Sequence, residues 1–180
     1  MENIRAIVLT GFGVNCDAEM AKGFELAGAE ARRVHLNDVI SGAIKLRDFH
    51  ALALPGGFSF GDDVASGKVF ANRLKYSLGE EIARFVSDGK LVIGICNGFQ
   101  MLVKMGLLPG LGLDYRTQTA TLTFNDSGRF ESRWVRVKGN SACNCVFTQG
   151  IEAMDAPVRH GEGKFVTLND GILHRLKVED

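Results

Sequence analysis

The residues best placed to do chemistry lie at Gly94-x-Cys96-x-Gly98. An apolar run, "KLVIGI", leads straight into Cys96, and "NGFQMLVKMG" continues from it with helical spacing. A thiol on such a corner is lifted out of the sheet at the carboxyl edge of a parallel strand, where ligands bind in α/β folds. The helix that follows turns its first N–H groups and its positive dipole end toward the sulfur, an arrangement expected to favour thiolate. The N–H of Asn97 could then donate to an oxyanion forming on a carbonyl under attack. Glycines at −2 and +2 reproduce the spacing of nucleophile elbows, with Cys in place of Ser. The plain alternative is a buried structural cysteine, a common fate of free Cys, but it does not account for the two flanking glycines.

A second stretch, "LPGGFSFGDD", also ends a strand, and its Gly56-Gly57-Phe58 backbone could supply another oxyanion donor; a simple turn is the competing reading. The other cysteines carry weaker signals. Cys16 falls in a loop ahead of a helix. Cys143 and Cys145 form a C-x-C pair with neither a His nor a second Cys pair nearby, so no metal site is expected. His35 and His50 border strands and read as structural, and His174 falls on an exposed helix.

The elements that must hold these residues follow from periodicity. "RAIVLT" is a buried strand closed by "GFG". "DAEMAKGFELAG" places Met20, Phe24 and Ala27 on one helical face, with Asp17 as a cap and Gly28 as the stop. "ARRVHL" and "HALALPGG" are further strands. "FANRLKYSLGEEIARFVSDGK" aligns Leu74, Leu78, Ile82, Phe85 and Val86 as the buried stripe of a helix that ends at Gly89. The helix after Cys96 closes at Gly106. Strands alternating with helices predict an α/β fold of flavodoxin-like type: a three-layer sandwich with a mostly parallel sheet and helices on both faces. Past about residue 115 the period becomes two. "TATLTFNDSGRFESRWVRV" reads as an added β-hairpin around the Asn125–Gly128 turn, "PVRHGEGKFVTL" as strand, loop and strand, and "NDGILHRLKVED" as a capped helix. One domain over 1–180 is expected, with no linker or repeat.

Bulk properties exclude several classes. The 180 residues carry 21 basic and 21 acidic side chains, a formal net charge of zero, so no electrostatic footprint for nucleic acid is present. No apolar run has the length of a membrane span, the N-terminus lacks a signal-peptide layout, and four scattered cysteines do not make a disulfide framework. A cytoplasmic protein with no cofactor of its own is expected.

The stretches "GVNCDAEM", "LPGGFSFGDD", "GICNGFQML", "NDSGRFESRW" and "RHGEGKF" together resemble class I (triad-type) glutamine amidotransferases, and within them the glutaminase subunits that serve phosphoribosylformylglycinamidine synthase in purine synthesis. They occur in family order across nearly the whole chain. The resemblance implies Cys96 as the nucleophile toward the glutamine side-chain amide, with Gly57 and Asn97 N–H groups on the oxyanion. Gln100, one turn further along the helix, could turn toward the substrate or be an exposed polar residue. Arg129 and Phe130 become candidates for gripping glutamine or docking the partner, or have plain surface and core roles. The implied partner is a synthetase subunit, with a small third subunit a further candidate.

One departure stands out. The family's general base is a histidine in a late "PHPE" motif, which this sequence lacks; its only H-x-E, His160-Gly161-Glu162, falls in "HGEGKF", which matches a separate, earlier motif. The expectation is therefore a chain without the family's C-terminal end. Its turnover should be feeble, since a general base contributes on the order of 100- to 10,000-fold. Two other classes remain open: an amidotransferase-like interaction module without activity, and the PfpI-type cysteine hydrolases, which usually carry His where this chain has Asn97.

Overall fold

The computed structural model describes residues 3–140 and 143–178. The chain divides into two compact units, Met1–Ala120 and Thr121–Asp180.

The first unit alternates strand and helix as its periodicity requires: β1 (Arg5–Thr10), α1 (Asp17–Leu26), β2 (Glu30–His35), α2 (Leu36–Ile40), β3 (Ala51–Leu54), α3 (Lys68–Ser87), β4 (Leu91–Gly94) and α4 (Asn97–Met105). The strands form one parallel sheet in the order β2-β1-β3-β4. β1 is buried on both faces, and its alternation assigns the helices to layers. Ile7 and Leu9 join Leu52 and Leu54 of β3 under Phe70, Leu74, Leu78, Ile82 and Phe85 of α3 and Met101, Leu102 and Met105 of α4. Val8 and Ala53 point the other way, against Ala21, Met20 and Phe24 of α1. Helices thus cover both faces, as expected for the parallel α/β pattern.

Two local details differ from expectation. α1 begins at Asp17 with no side-chain cap on it, because Asp17 instead accepts from Arg33 Nη1 at 3.2 Å. α2 was not anticipated; its five residues are too few to show a period, and it starts where His35 Nδ1 accepts the Asn37 N–H at 3.1 Å.

The second unit contains β6 (Glu131–Lys138) and β7 (Ala153–His160), an antiparallel pair running from Glu131↔His160 to Lys138↔Ala153. β5 (Ala120–Thr123) pairs instead with β8 (Lys164–Thr167), and α5 (Asp170–Val178) follows. The expected hairpin is therefore corrected. The Asn125–Gly128 turn forms, with Gly128 N–H donating to Asn125 O at 2.9 Å, but its flanking strands pair with different partners. The reason is length and anchoring. β5 has four residues, too few to match the eight paired positions that β7 offers β6. The turn is also tied to the β7–β8 loop through Asn125 N–H to Gly161 O at 2.9 Å.

Candidate active site

The loops that follow β1, β3 and β4 meet at the carboxyl edge of the parallel sheet. Cys96 forms the corner between β4 and α4. Its φ of 55° and ψ of −113° put a non-glycine residue in a sparsely populated region, a strain of order 1–3 kcal/mol that only a tightly determined surround can hold. The two flanking glycines explain how it is held. A Cβ on Gly98 would lie 2.5 Å from the carbonyl carbon of Leu54 and overlap its oxygen, and one on Gly94 would lie 2.6 Å from Gly98 O. Only bare backbone lets the first turn of α4 seat on β3 and β4. The residue this presents, Cys96, is exposed.

The double-glycine loop lies directly beside the thiol. A Cβ on Gly56 would stand 3.3 Å from Cys96 Cβ, in contact with the nucleophile's own carbon. Gly57 has φ 141°, a region costly for any side chain, and a Cβ there would meet Gly13 O at 2.6 Å and Asn15 N at 2.8 Å. The β1 loop holds this backbone from one side: Phe58 N–H donates to Gly13 O at 2.8 Å, and Cys16 N–H donates to Gly56 O at 3.3 Å.

From the other side it is held by Asn97, which is 1% exposed. Asn97 Oδ1 accepts the Ser59 N–H at 3.1 Å; its Nδ2 donates to Asp62 Oδ1 and to Gln100 Oε1, both at 2.9 Å. Asp62 Oδ1 also accepts the Gly67 N–H at 3.1 Å. The loop between needs such anchoring, because Phe60, Asp62 and Val64 all have positive φ.

The structure thus brings together four of the residues singled out in the sequence: Cys96, Gly57, Asn97 and Gln100. Gln100 is buried, which removes its reading as an exposed helix residue. Arg129 and Phe130 belong to the second unit and are exposed there; Arg129 O accepts from Asn125 Nδ2 at 2.9 Å. His160, also in that unit, has its Nδ1 2.9 Å from Asn125 Oδ1, consistent with a loop-shaping role for "HGE". In the first unit His35 caps α2 and His50 Nδ1 accepts the Arg5 N–H at 2.9 Å.

Sequence reasoning missed three participants. Ser59 and Asp62 belong to the "LPGGFSFGDD" stretch, but nothing in it marks them as partners of Asn97. Cys16, in sequence simply a loop residue ahead of a helix, has its Sγ 3.6 Å from where a Gly56 Cβ would be. Although the residue is exposed overall, desolvation of this sulfur, then Glu19, Cys96 and Asp17, push the Cys16 thiol above its ordinary value. Their only signal was position: each lies in a loop that follows a parallel strand.

Comparison with known proteins adds the following. Residues 3–180 match the model of the CobB/CobQ-like glutamine amidotransferase domain. The chain is 49% identical over 166 residues to phosphoribosylformylglycinamidine synthase subunit PurQ of Dehalococcoides mccartyi, covering 92% of this chain and 64% of that protein. It is 37% identical to the PurQ subunit of Archaeoglobus fulgidus, over 99% of this chain and 71% of the relative. Among solved structures, PurLQS from Thermotoga maritima superposes with a TM-score of 0.72 at 34% identity, covering 94% of this chain and 72% of that one. The chain thus spans a little under two thirds of the length of several curated relatives. No described helix is long and apolar enough to cross a membrane.

Proposed function

Because the chain belongs to the CobB/CobQ-like glutamine amidotransferase domain family, we propose that it is the glutaminase component of phosphoribosylformylglycinamidine synthase, releasing ammonia from glutamine for a synthetase partner in purine synthesis. The identity to PurQ subunits and the likeness to the Thermotoga PurLQS chain support the assignment of pathway and partner. The single observation that carries the chemistry is Cys96, held at positive φ with its Cβ against Gly56.

In this reading Cys96 Sγ attacks the side-chain amide carbon of glutamine. The carbonyl π electrons move to oxygen, and the oxyanion is received by the N–H groups of Gly57 and Asn97. Collapse breaks the C–N bond, and the departing nitrogen takes up the proton lost by the thiol, leaving as ammonia. A γ-glutamyl thioester remains on Cys96. Water then hydrolyses it, giving glutamate and the free thiol, so the net reaction is glutamine plus water to glutamate plus ammonia. Preorganised donors of this kind are worth about 10²–10³ in rate each. Gln100, whose Oε1 accepts from Asn97 Nδ2, supports Asn97 from within α4, beside the substrate-facing corner. Arg129 and Phe130 stand as contacts for glutamine or for the synthetase.

The test is covalent labelling with a diazo-ketone analogue of glutamine, mapped by peptide mass spectrometry. Cys96 should be modified in preference to Cys16, Cys143 and Cys145. Labelling spread evenly over the four, or sparing Cys96, overturns the proposal.

A further inference from the structure

The Asn97 side chain sits where the two halves of the proposed oxyanion site join. Its backbone N–H belongs to the nucleophile's helix. Its side chain is turned the other way, into the loop that carries Gly57. Through Oδ1 it takes the Ser59 N–H, two residues past Gly57, and through Nδ2 it reaches Asp62 Oδ1, which in turn fixes Gly67 just ahead of α3. Gln100 Oε1 accepts from the same Nδ2 from one turn along α4. The amide is therefore fully directed: one oxygen and one nitrogen, each committed to a partner at hydrogen-bond distance, in a position that is 1% exposed.

On the side facing α4, the Asn97 amide holds this loop at two points, the Ser59 N–H and Asp62 Oδ1. The loop contains three non-glycine residues at positive φ, a conformation that relaxes when its anchors are removed. From the β1 side it is tied through Phe58 and Phe60 N–H to Gly13 and Phe12 carbonyls, both at 2.8 Å. Those bonds register it against β1, not against α4. Two hydrogen bonds, Ser59 N–H to Asn97 Oδ1 and Asn97 Nδ2 to Asp62 Oδ1, join the glycine loop directly to the residue beside Cys96.

We propose that the Asn97 side chain is the positioning residue of this site: with Asp62 as its orienter, it clamps the glycine loop to the nucleophile's helix so that the Gly57 and Asn97 N–H groups converge on one oxyanion. This rests on the amidotransferase reading given above. It assigns to residue 97 a second task beyond its backbone N–H, and it gives Asp62 a role in holding the site without touching substrate. The spacing of two donors tolerates little error, and a misplacement of about 1 Å can cost about 10²-fold in rate.

The clamp can be separated from the thiol's own reactivity by comparing two reactions at Cys96. Acylation by the γ-p-nitrophenyl ester of glutamate passes through a tetrahedral oxyanion and is read as a burst of nitrophenolate. Alkylation by iodoacetamide is a displacement at saturated carbon and needs no oxyanion donor. Asn97→Ala should lower the acylation rate by about 10²-fold, the scale of one lost donor, while alkylation changes by less than about threefold. A variant that merely unfolds the corner would shift both together.

The swap provides a second readout. In Asn97→Asp alone, two carboxylates face each other and acylation should fall. In Asn97→Asp with Asp62→Asn, the polarity of the bond reverses: Asn at 62 donates to Asp at 97 and still accepts from Gly67, while Asp at 97 still accepts from Ser59 and, with the Gln100 amide turned over, from its Nε2 in place of donating to its Oε1. This pair should regain at least tenfold of the lost acylation. Unchanged acylation in Asn97→Ala, or no recovery in the swap, overturns the clamp while leaving the amidotransferase reading intact. Failure of the unaltered chain to acylate at Cys96, checked with Cys96→Ala, overturns both.

Discussion

Gly98→Ala adds one methyl group at the point where α4 touches β3. In place, its carbon would lie 2.5 Å from the Leu54 carbonyl carbon and 3.0 Å from Leu54 Cβ. Carbon atoms rest at about 3.5–4.0 Å, so the helix must back away by about 1 Å or the strand must bend. Neither yields easily, since the obstacle is backbone in the middle of the sheet rather than the end of a side chain. Overpacking of this sort costs about 1–3 kcal/mol, against a total of about 5–15 kcal/mol for a typical domain. The same displacement carries Cys96 away from the Gly56 backbone, which now lies so close that a Cβ on Gly56 would stand 3.3 Å from Cys96 Cβ. Labelling of Cys96 by a glutamine-mimicking electrophile should fall by about 10²-fold.

Gly79→Ala is the internal control. Gly79 lies within α3 and a Cβ there would meet nothing within 4 Å. The same chemical change should therefore stabilise by about 1 kcal/mol through helix propensity. Urea unfolding of the two variants, followed by far-UV circular dichroism, should give midpoints displaced in opposite directions. If Gly98→Ala keeps both its midpoint and its Cys96 labelling within twofold of the parent, the close seating of α4 on β3 is not what holds the nucleophile, and the account of the corner fails.

How much of this was legible in the sequence depends on distance along the chain. Cys96 and its glycines are local, so the strand, the corner and the helix could all be read from the seventeen consecutive residues Lys90–Gly106. Gly57 was legible for the same reason. The Asn97 clamp was not, because Ser59 and Asp62 lie 38 and 35 residues away from it and no period links them. Gln100 could be placed on α4 but not on its buried face, because nothing in its spacing reports that it pairs with the buried Asn97 amide. In the second unit, alternation identified β5 and β6 as strands, and the turn chemistry at Asn125–Gly128 was right. The partners were wrong because period two reports which face a residue occupies and says nothing about which strand lies alongside.

Three further outcomes test the fold and the site. Leu74→Ala, at a fully buried position under β1, should cost about 2–5 kcal/mol by chemical denaturation, whereas Leu26→Ala, 78% exposed, should stay within about 0.5 kcal/mol. The Asn125 side chain ties the second unit's turn to the β7–β8 loop through His160 O and the Gly163 N–H, so Asn125→Ala should weaken amide-exchange protection at Gly163 by about 2 kcal/mol. The last concerns Cys16, whose thiol is raised by desolvation first, then by Glu19, Cys96 and Asp17. Only thiolate attacks an alkylating agent, so the pH midpoint of Cys16 alkylation should lie above the ordinary thiol value of about 8.5. Because the neighbouring charges are negative and oppose thiolate formation, Glu19→Gln should move the midpoint down, and so should Cys96→Ser. Desolvation survives both changes, so neither variant should reach the value of a fully solvated cysteine. A Cys16 midpoint at or below the ordinary value in the unaltered chain would mean that its sulfur does not lie against Gly56, and that the approach of the β1 loop to the Cys96 corner is wrong.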